Sequence, residues 1–190
     1  MARSKQMEAL KELAKQAPPE QNRLEYLAEL ARQPDRVTAI VAVAGLEHIL
    51  KETICRHLRP GFSKEDQIFD YNNNGILSTF GSQVTIACAM GIFGEQERAD
   101  FSRLLRIRNA FAHSMMNIDF SAVPIPSIVS DLEILNRPGT PEVFKQPAPI
   151  KHKFLHAVCL YYILLLIYRP NSSGVDHGWL VKPLSGSPTG

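Results

Sequence analysis

Apolar residues recur at three- and four-residue steps through most of the chain, which is the spacing of one face of an α-helix. The pattern predicts five helices outside the N-terminal region: Asp35 to about Arg59, a helix around Val84–Ile92, a central helix from near Glu95, Ser127 to Leu135, and an apolar helix from about Ile150. Asp35 and Ser127 are the residue types that favour the N-cap position. No alternating run of convincing length predicts a strand, so the sequence predicts an all-α fold.

The ends of the chain differ from its middle. Residues 3–16 and a second helix that closes near Gln33 are thinly hydrophobic, and Pro18 and Pro19 separate them. We therefore expect residues 1–34 to form an N-terminal helical hairpin extension, which either packs on the core or reaches a partner. Residues 35–169 are expected to form the helical domain. Residues 170–190 are rich in Gly, Ser and Pro and are predicted to be a flexible tail.

Composition restricts the function classes. The chain of 190 residues is 45% hydrophobic and 21% charged, with a net charge of +2, which argues against a strongly basic nucleic-acid coat but leaves a local basic patch open. No helix-turn-helix pattern stands out, which argues against direct DNA binding. Cys55, Cys88 and Cys159 are widely separated and indicate reduced thiols rather than disulfides or a zinc site. With no apolar leader at its start, the chain is expected to be cytoplasmic.

The apolar run from Phe154 to Tyr168 raises the question of a membrane anchor. A spanning helix needs about 20 apolar residues, whereas this run is shorter and contains His156. We predict a buried core helix and no membrane partner. His152 and His156 share a helical face at metal-binding spacing, but two histidines alone do not complete a metal site. We predict no metal and no cofactor.

The central helix carries an apolar face and a polar stripe. Phe101, Leu104, Leu105, Phe111 and Ala112 recur on one face, and Arg108 falls among them. A charge on such a face is costly unless it is paired, and Glu47 on the inner face of the long helix is the expected partner. The polar stripe is defined by its four members: Ser102, Arg106, Asn109 and His113.

The charged residues around this stripe have a simpler explanation. The arginines of the central helix resemble a basic patch, but acidic residues balance them: Glu95, Glu97 and Asp100. We expect these charges to form a solvated helix face.

Arg108-Asn109-x-x-x-His113 resembles the R-N-x-x-x-H motif of HEPN domains. The wider pattern is similar to the mannitol operon repressor branch of that superfamily. In that branch, a long helix with an inward Glu comes first, which here is Asp35 to Arg59 with Glu47. The next helix has a characteristic pattern, which in this chain reads Leu77-x-x-Phe80-x-x-x-Val84-x-x-Ala87-x-x-x-Gly91-Ile92. The motif segment then follows, matched here at Ile107 to Ser114. The resemblance covers roughly residues 35 to 168. It implies a HEPN-like helical bundle.

The HEPN resemblance also implies an activity, which is metal-independent RNA cleavage beside a 2′-hydroxyl. His113 is a candidate base or acid, Arg108 a candidate cation for the developing charge, and Asn109 would orient either group. Met115 stands where these ribonucleases often have a tyrosine. Residues 108 and 113 lie about 140° apart around an ideal helix. Because the family commonly faces two such helices across a two-fold axis, we expect a homodimer.

Two functions follow from the resemblance. The mannitol repressor branch favours a dimeric regulatory module in transcriptional or post-transcriptional control, acting through protein contacts. The alternative is an endoribonuclease that uses Arg108, Asn109 and His113, with RNA as its partner. The motif also has an architectural interpretation, in which Asn109, His113 and Ser114 tie down the helix end. Exposure separates these possibilities, because a nuclease needs His113 and a guanidinium open to a cleft.

Overall fold

The computed structural model describes residues 22–58, 65–70 and 74–168, together with the single positions 6, 9 and 13. The predicted flexible tail at residues 170–190 lies outside the described residues. The predicted helix at residues 3–16 also lies outside them, apart from those three single positions.

Helices account for all regular secondary structure in the described part of the chain. They are α1 (Arg23–Glu29, continued by a 3-10 turn at Leu30–Arg32), α2 (Asp35–Cys55), α3 (Glu65–Phe69), α4 (Phe80–Ala89), α5 (Glu95–His113), α6 (Ile125–Ser130), α7 (Glu133–Asn136), α8 (Glu142–Lys145) and α9 (Ile150–Ile167). The prediction of an all-α protein is confirmed.

Helix α2 is the centre of the bundle, because it packs against α4, α5 and α9. Nine of its side chains are buried, and Leu46, Ile49 and Leu50 are fully inaccessible to solvent. Helices α6 and α7 both contact α5 and α9 on another side of the bundle. Helix α1 corresponds to the second of the two helices predicted for residues 1–34. It packs on α9, and Leu27 and Leu30 are buried there. Helix α5, which carries the motif, is thus held by several neighbours.

Helix α9 is long and apolar enough to cross a membrane by length and composition, but half of it is buried inside the fold. Phe154, Val158 and Tyr161 lie in the common core with residues of α2 and α5. This burial agrees with the predicted core helix.

Two helix boundaries differ from the prediction. Pro34 is the N-cap of α2, and Asp35 is its first residue. The carboxylate of Asp35 accepts a hydrogen bond from the amide of Phe120 (3.0 Å) and lies 3.1 Å from the ammonium of Lys151. The predicted N-cap at Asp35 is therefore wrong, because this side chain ties α2 to two distant segments instead. Helix α2 also ends at Cys55 rather than near Arg59.

The predicted helix from Ser127 to Leu135 is in fact two short helices, α6 and α7. Pro124, rather than Ser127, is the N-cap of α6, and the Ser127 hydroxyl donates to the Pro124 carbonyl. Leu132 has an extended backbone, which separates the two helices. This break leaves the first amides of α7 without partners inside the helix, and they bind the carboxylate of Asp100, as described below.

Candidate functional site

The buried face of α5 agrees in large part with the apolar pattern. Phe101, Leu104 and Phe111 are buried, while Leu105 is half-buried. Ala112, which was expected on this face, is exposed.

Arg108 lies at the seam between α5 and α2, where it pairs with Glu47. Its Nη2 atom is 3.5 Å from Oε2 of Glu47, and the two side chains are 27% and 30% exposed. Burial raises the pKa of the Glu47 carboxyl above its usual value, and the charge of Arg108 partly offsets that rise. The Nη1 atom of Arg108 also donates to Oδ1 of Asn109 (3.1 Å). The expected ion pair is confirmed, and it engages the arginine of the motif.

The polar stripe lies along a less buried side of the same helix. Arg106 and His113 are exposed, and Ser102 and Asn109 are half-buried. The Ser102 hydroxyl donates to the carbonyl of Arg98 (2.8 Å). Within the described residues, no hydrogen bond or ion pair occupies the side chain of Arg106 or His113. Helix α5 continues without a break to His113, so the angle of about 140° between Arg108 and His113 is maintained.

The turn after α5 is tied down by two other residues. Nη2 of Arg36 donates to the carbonyls of Ser114 (2.9 Å) and Met116 (2.7 Å). The Ser114 hydroxyl donates to the Met116 carbonyl and accepts from the Met116 amide, both at 3.1 Å. Ser114 therefore has the structural role that was considered for it, whereas His113 does not take part. Met115 is fully exposed in this turn.

A buried polar cluster around Asp100 of α5 is not predicted by the apolar pattern. The Asp100 side chain is fully buried and accepts four hydrogen bonds: from Arg103 Nη1 (2.8 Å), Tyr161 Oη (2.7 Å) and the amides of Glu133 (3.1 Å) and Ile134 (3.0 Å). Burial and the neighbouring Asp100 raise the pKa of the Tyr161 hydroxyl well above its usual value. Asp100 thus joins α5 to α7 and α9.

Glu97 is also buried rather than solvated. Its carboxylate pairs with Arg137 and accepts the amide of Gly94 (2.9 Å). The expected solvated face is therefore wrong for Glu97 and Asp100. The sequence held a signal for this, because Glu97 precedes Phe101 by four residues and Asp100 precedes Leu104 by four. Both carboxylates thus lie on the apolar face of the helix.

The histidines and cysteines elsewhere give no site in the described part of the chain. No group of three or more His, Cys, Asp or Glu side chains is placed to hold a metal there. The ring of His156 meets Phe144 edge-on at 5.1 Å, and burial lowers the pKa of His156. Burial raises the pKa of the Cys159 thiol to about 11, so that residue is a poor nucleophile at neutral pH.

No protein-family model, curated protein or solved structure matches this chain. The HEPN-like resemblance therefore stays a prediction. Three features distinguish this end of α5: the exposed polar stripe, the paired Arg108 beside it, and the ordered turn that follows His113.

Proposed function

We propose that the protein acts on RNA as an endoribonuclease whose site lies on the polar stripe of α5. The observation that carries this proposal is the exposure of His113 and Arg106 on one stripe, with neither side chain occupied by another described residue. Acid–base and electrostatic catalysis on an external RNA strand requires both groups to be accessible, and both are. Because the side chains of His113 and Arg106 are exposed, we propose the ribonuclease first. The regulatory module, which the resemblance alone favours, is the second candidate.

The chemistry assigned to His113 is proton transfer. Its imidazole accepts the proton of a ribose 2′-hydroxyl as a general base. The 2′-oxygen then forms a bond to the adjacent phosphorus while the bond from phosphorus to the 5′-oxygen breaks. The products are a 2′,3′-cyclic phosphate and a 5′-hydroxyl, whose oxygen receives a proton from an acid. The resemblance implies that this reaction needs no metal ion.

A second copy of the chain is the proposed source of that acid. One α5 helix presents a single histidine on its stripe, and its straight course keeps Arg108 turned away from His113. Two copies that face each other across this stripe would bring two imidazoles to one cleft, where one acts as base and the other as acid. The proposed functional unit is therefore a homodimer.

The test is cleavage of end-labelled single-stranded RNA by the purified protein in EDTA. Wild-type protein should produce cyclic-phosphate ends, and His113→Ala should lower the rate at least about a hundredfold, the lower range for loss of a general acid or base. His152→Ala is the matched control, because His152 is also exposed but lies on α9. Circular dichroism must show that both variants are folded.

Three outcomes decide the proposal. Cleavage that depends on His113 and not on His152 supports it. If wild-type protein leaves RNA intact, or if His113→Ala cuts as fast as wild type, the ribonuclease proposal fails.

A regulatory module that acts through protein contacts is the second candidate. The observation that favours it is the pair Met115 and Met116, which are 100% and 74% exposed in a turn that Arg36 holds in place. Exposed apolar side chains on an ordered surface are common at interaction sites. We assign this surface to a second copy of the chain.

For this candidate, we expect light scattering to give twice the chain mass for wild type and the mass of one chain for the double variant Met115→Asp with Met116→Asp. Buried carboxylates at the interface would be unpaired and costly. Val143→Asp is the control, because Val143 is 65% exposed on α8. A wild-type monomer, or a double variant that still dimerises, would contradict this assignment.

A genetic comparison separates the two candidates. The gene would be deleted in the source organism, transcripts profiled, and the strain complemented with each variant. Restoration by His113→Ala as complete as by the His152→Ala control favours the regulatory module. Failure of His113→Ala to restore the transcripts, when His152→Ala restores them, favours the enzyme.

A further inference from the structure

We propose that Arg106, rather than Arg108, is the arginine that binds the RNA backbone at this site. The inference rests on the proposed action on RNA and adds a residue role to it. Arg108 belongs to the motif, whereas Arg106 stands two residues before it. The reason is that the other arginines of α5 already form ion pairs with carboxylates, whereas Arg106 does not pair with any described residue.

Three of the four arginines of α5 are held in ion pairs. The pairs join Arg98 to Glu95, Arg103 to Asp100 and Arg108 to Glu47, with N–O distances of 2.5, 2.8 and 3.5 Å. Arg106 is exposed, and no carboxylate in the described residues pairs with it. It is therefore the arginine of this helix whose charge is free for a phosphate.

Arg108 is poorly suited to that role for two reasons. If it turned to a phosphate, Glu47 would be left partly buried without its cation, which is costly. If it kept its pair, a phosphate at Arg108 would also lie near the Glu47 carboxylate and be repelled by it. In addition, Arg108 lies about 140° around the helix from His113.

Arg106 shares a face with His113. Seven residues correspond to nearly two turns, so the two positions differ by about 20° around the helix and by about 10.5 Å along it. Both positions therefore lie on one side of α5, about two turns apart. Arg106 is thus placed to bind a phosphate near the one that reacts at His113.

Asn109 lies between these two side chains and its orientation is fixed. An arginine has only donors, so the Asn109 atom that faces Arg108 Nη1 is the amide oxygen. The amide NH₂ group is then directed elsewhere and, within the described residues, has no partner. Arg106 and the Asn109 amide thus offer donors on the stripe that carries His113, about 60° from each other around the helix, which fits the backbone of a single strand.

The experiment measures binding of a fluorescent single-stranded RNA that carries 2′-O-methyl groups, so that it cannot be cut. Arg106→Ala should weaken binding by the full-length protein about tenfold, the loss of one charge-assisted hydrogen bond. It should also reduce the slope of log affinity against log salt by about 0.7, as for one lost phosphate contact. Arg98→Ala, which removes the same charge from the same helix, should change neither quantity.

The outcomes separate this inference from the proposed function. Weaker RNA binding by Arg106→Ala, together with unchanged binding by Arg98→Ala, supports the inference. If Arg106→Ala behaves like Arg98→Ala while unmodified RNA is still cut, the Arg106 assignment alone fails. A loss seen with Arg108→Ala and absent from Arg106→Ala also overturns it. If wild type neither binds the modified RNA nor cuts unmodified RNA, both proposals fail.

Discussion

Asp100→Ala is expected to lower the free energy of unfolding by about 3–5 kcal/mol, the usual cost of breaking a buried ion pair by removing one partner. The carboxylate is fully buried and serves four donors from three elements. Its removal leaves the Tyr161 hydroxyl and two backbone amides inside the protein without acceptors, and each buried unsatisfied group is costly. Urea denaturation followed by circular dichroism would measure the change.

Asp131→Ala is the control for this variant, because Asp131 is exposed and a surface substitution should shift stability by less than about 0.5 kcal/mol. Tyr161→Phe removes one donor and leaves Asp100 in place, so a loss of about 1 kcal/mol is expected. It also covers the case in which Asp100→Ala does not fold. Equal stability of Asp100→Ala and wild type would mean that the cluster contributes nothing.

Phe101→Ala is expected to cost a similar amount, about 3–5 kcal/mol, as for other large aromatic truncations in a core. The Phe101 ring is 1% exposed and lies 4.9 Å from the ring of Phe93, 4.6 Å from Tyr161 and 6.0 Å from Phe80. Truncation removes three aromatic contacts at once and leaves a cavity where α4, α5 and α9 meet. The midpoint and slope of a urea titration give the loss.

Phe144→Ala provides the comparison for Phe101→Ala. Phe144 is only half-buried, on the short helix α8, where its ring meets His156. Because less apolar area returns to water, we expect a loss of about 1 kcal/mol. If the two truncations cost the same, burial of Phe101 is not what makes it important.

Much of the fold can be predicted from the sequence because long helices repeat their apolar positions over several turns. The starts of helices α2, α5 and α9 were predicted for this reason, although α2 ends about four residues earlier than expected, and the pair of Glu47 with Arg108 followed from placing both on inner faces. The break between α6 and α7 was missed. Its cause is a tertiary one, since the interruption at Leu132 frees two amides that bind Asp100, 33 and 34 residues earlier in the chain.

The candidate site was predicted less completely than the fold. Helical periodicity states which residues share a face, so it defined the polar stripe correctly. It does not state what covers that face, and the exposure of His113 and the engagement of each arginine depend on residues far away in the chain. The balance of charges along α5 wrongly predicted that Glu97 and Asp100 are solvated. Their partners, Arg137 and Tyr161, lie outside α5 and far along the chain.

Helix α5 divides its polar residues between two tasks. Asp100 and Glu97 fasten the helix to its neighbours, while Arg106 and His113 contact no described residue through hydrogen bonds or ion pairs. Substitutions at the open positions should scarcely affect folding, so selection can change this surface without endangering the bundle. Proteins that share this architecture could therefore differ in what the surface does, and a shared fold alone would not tell them apart.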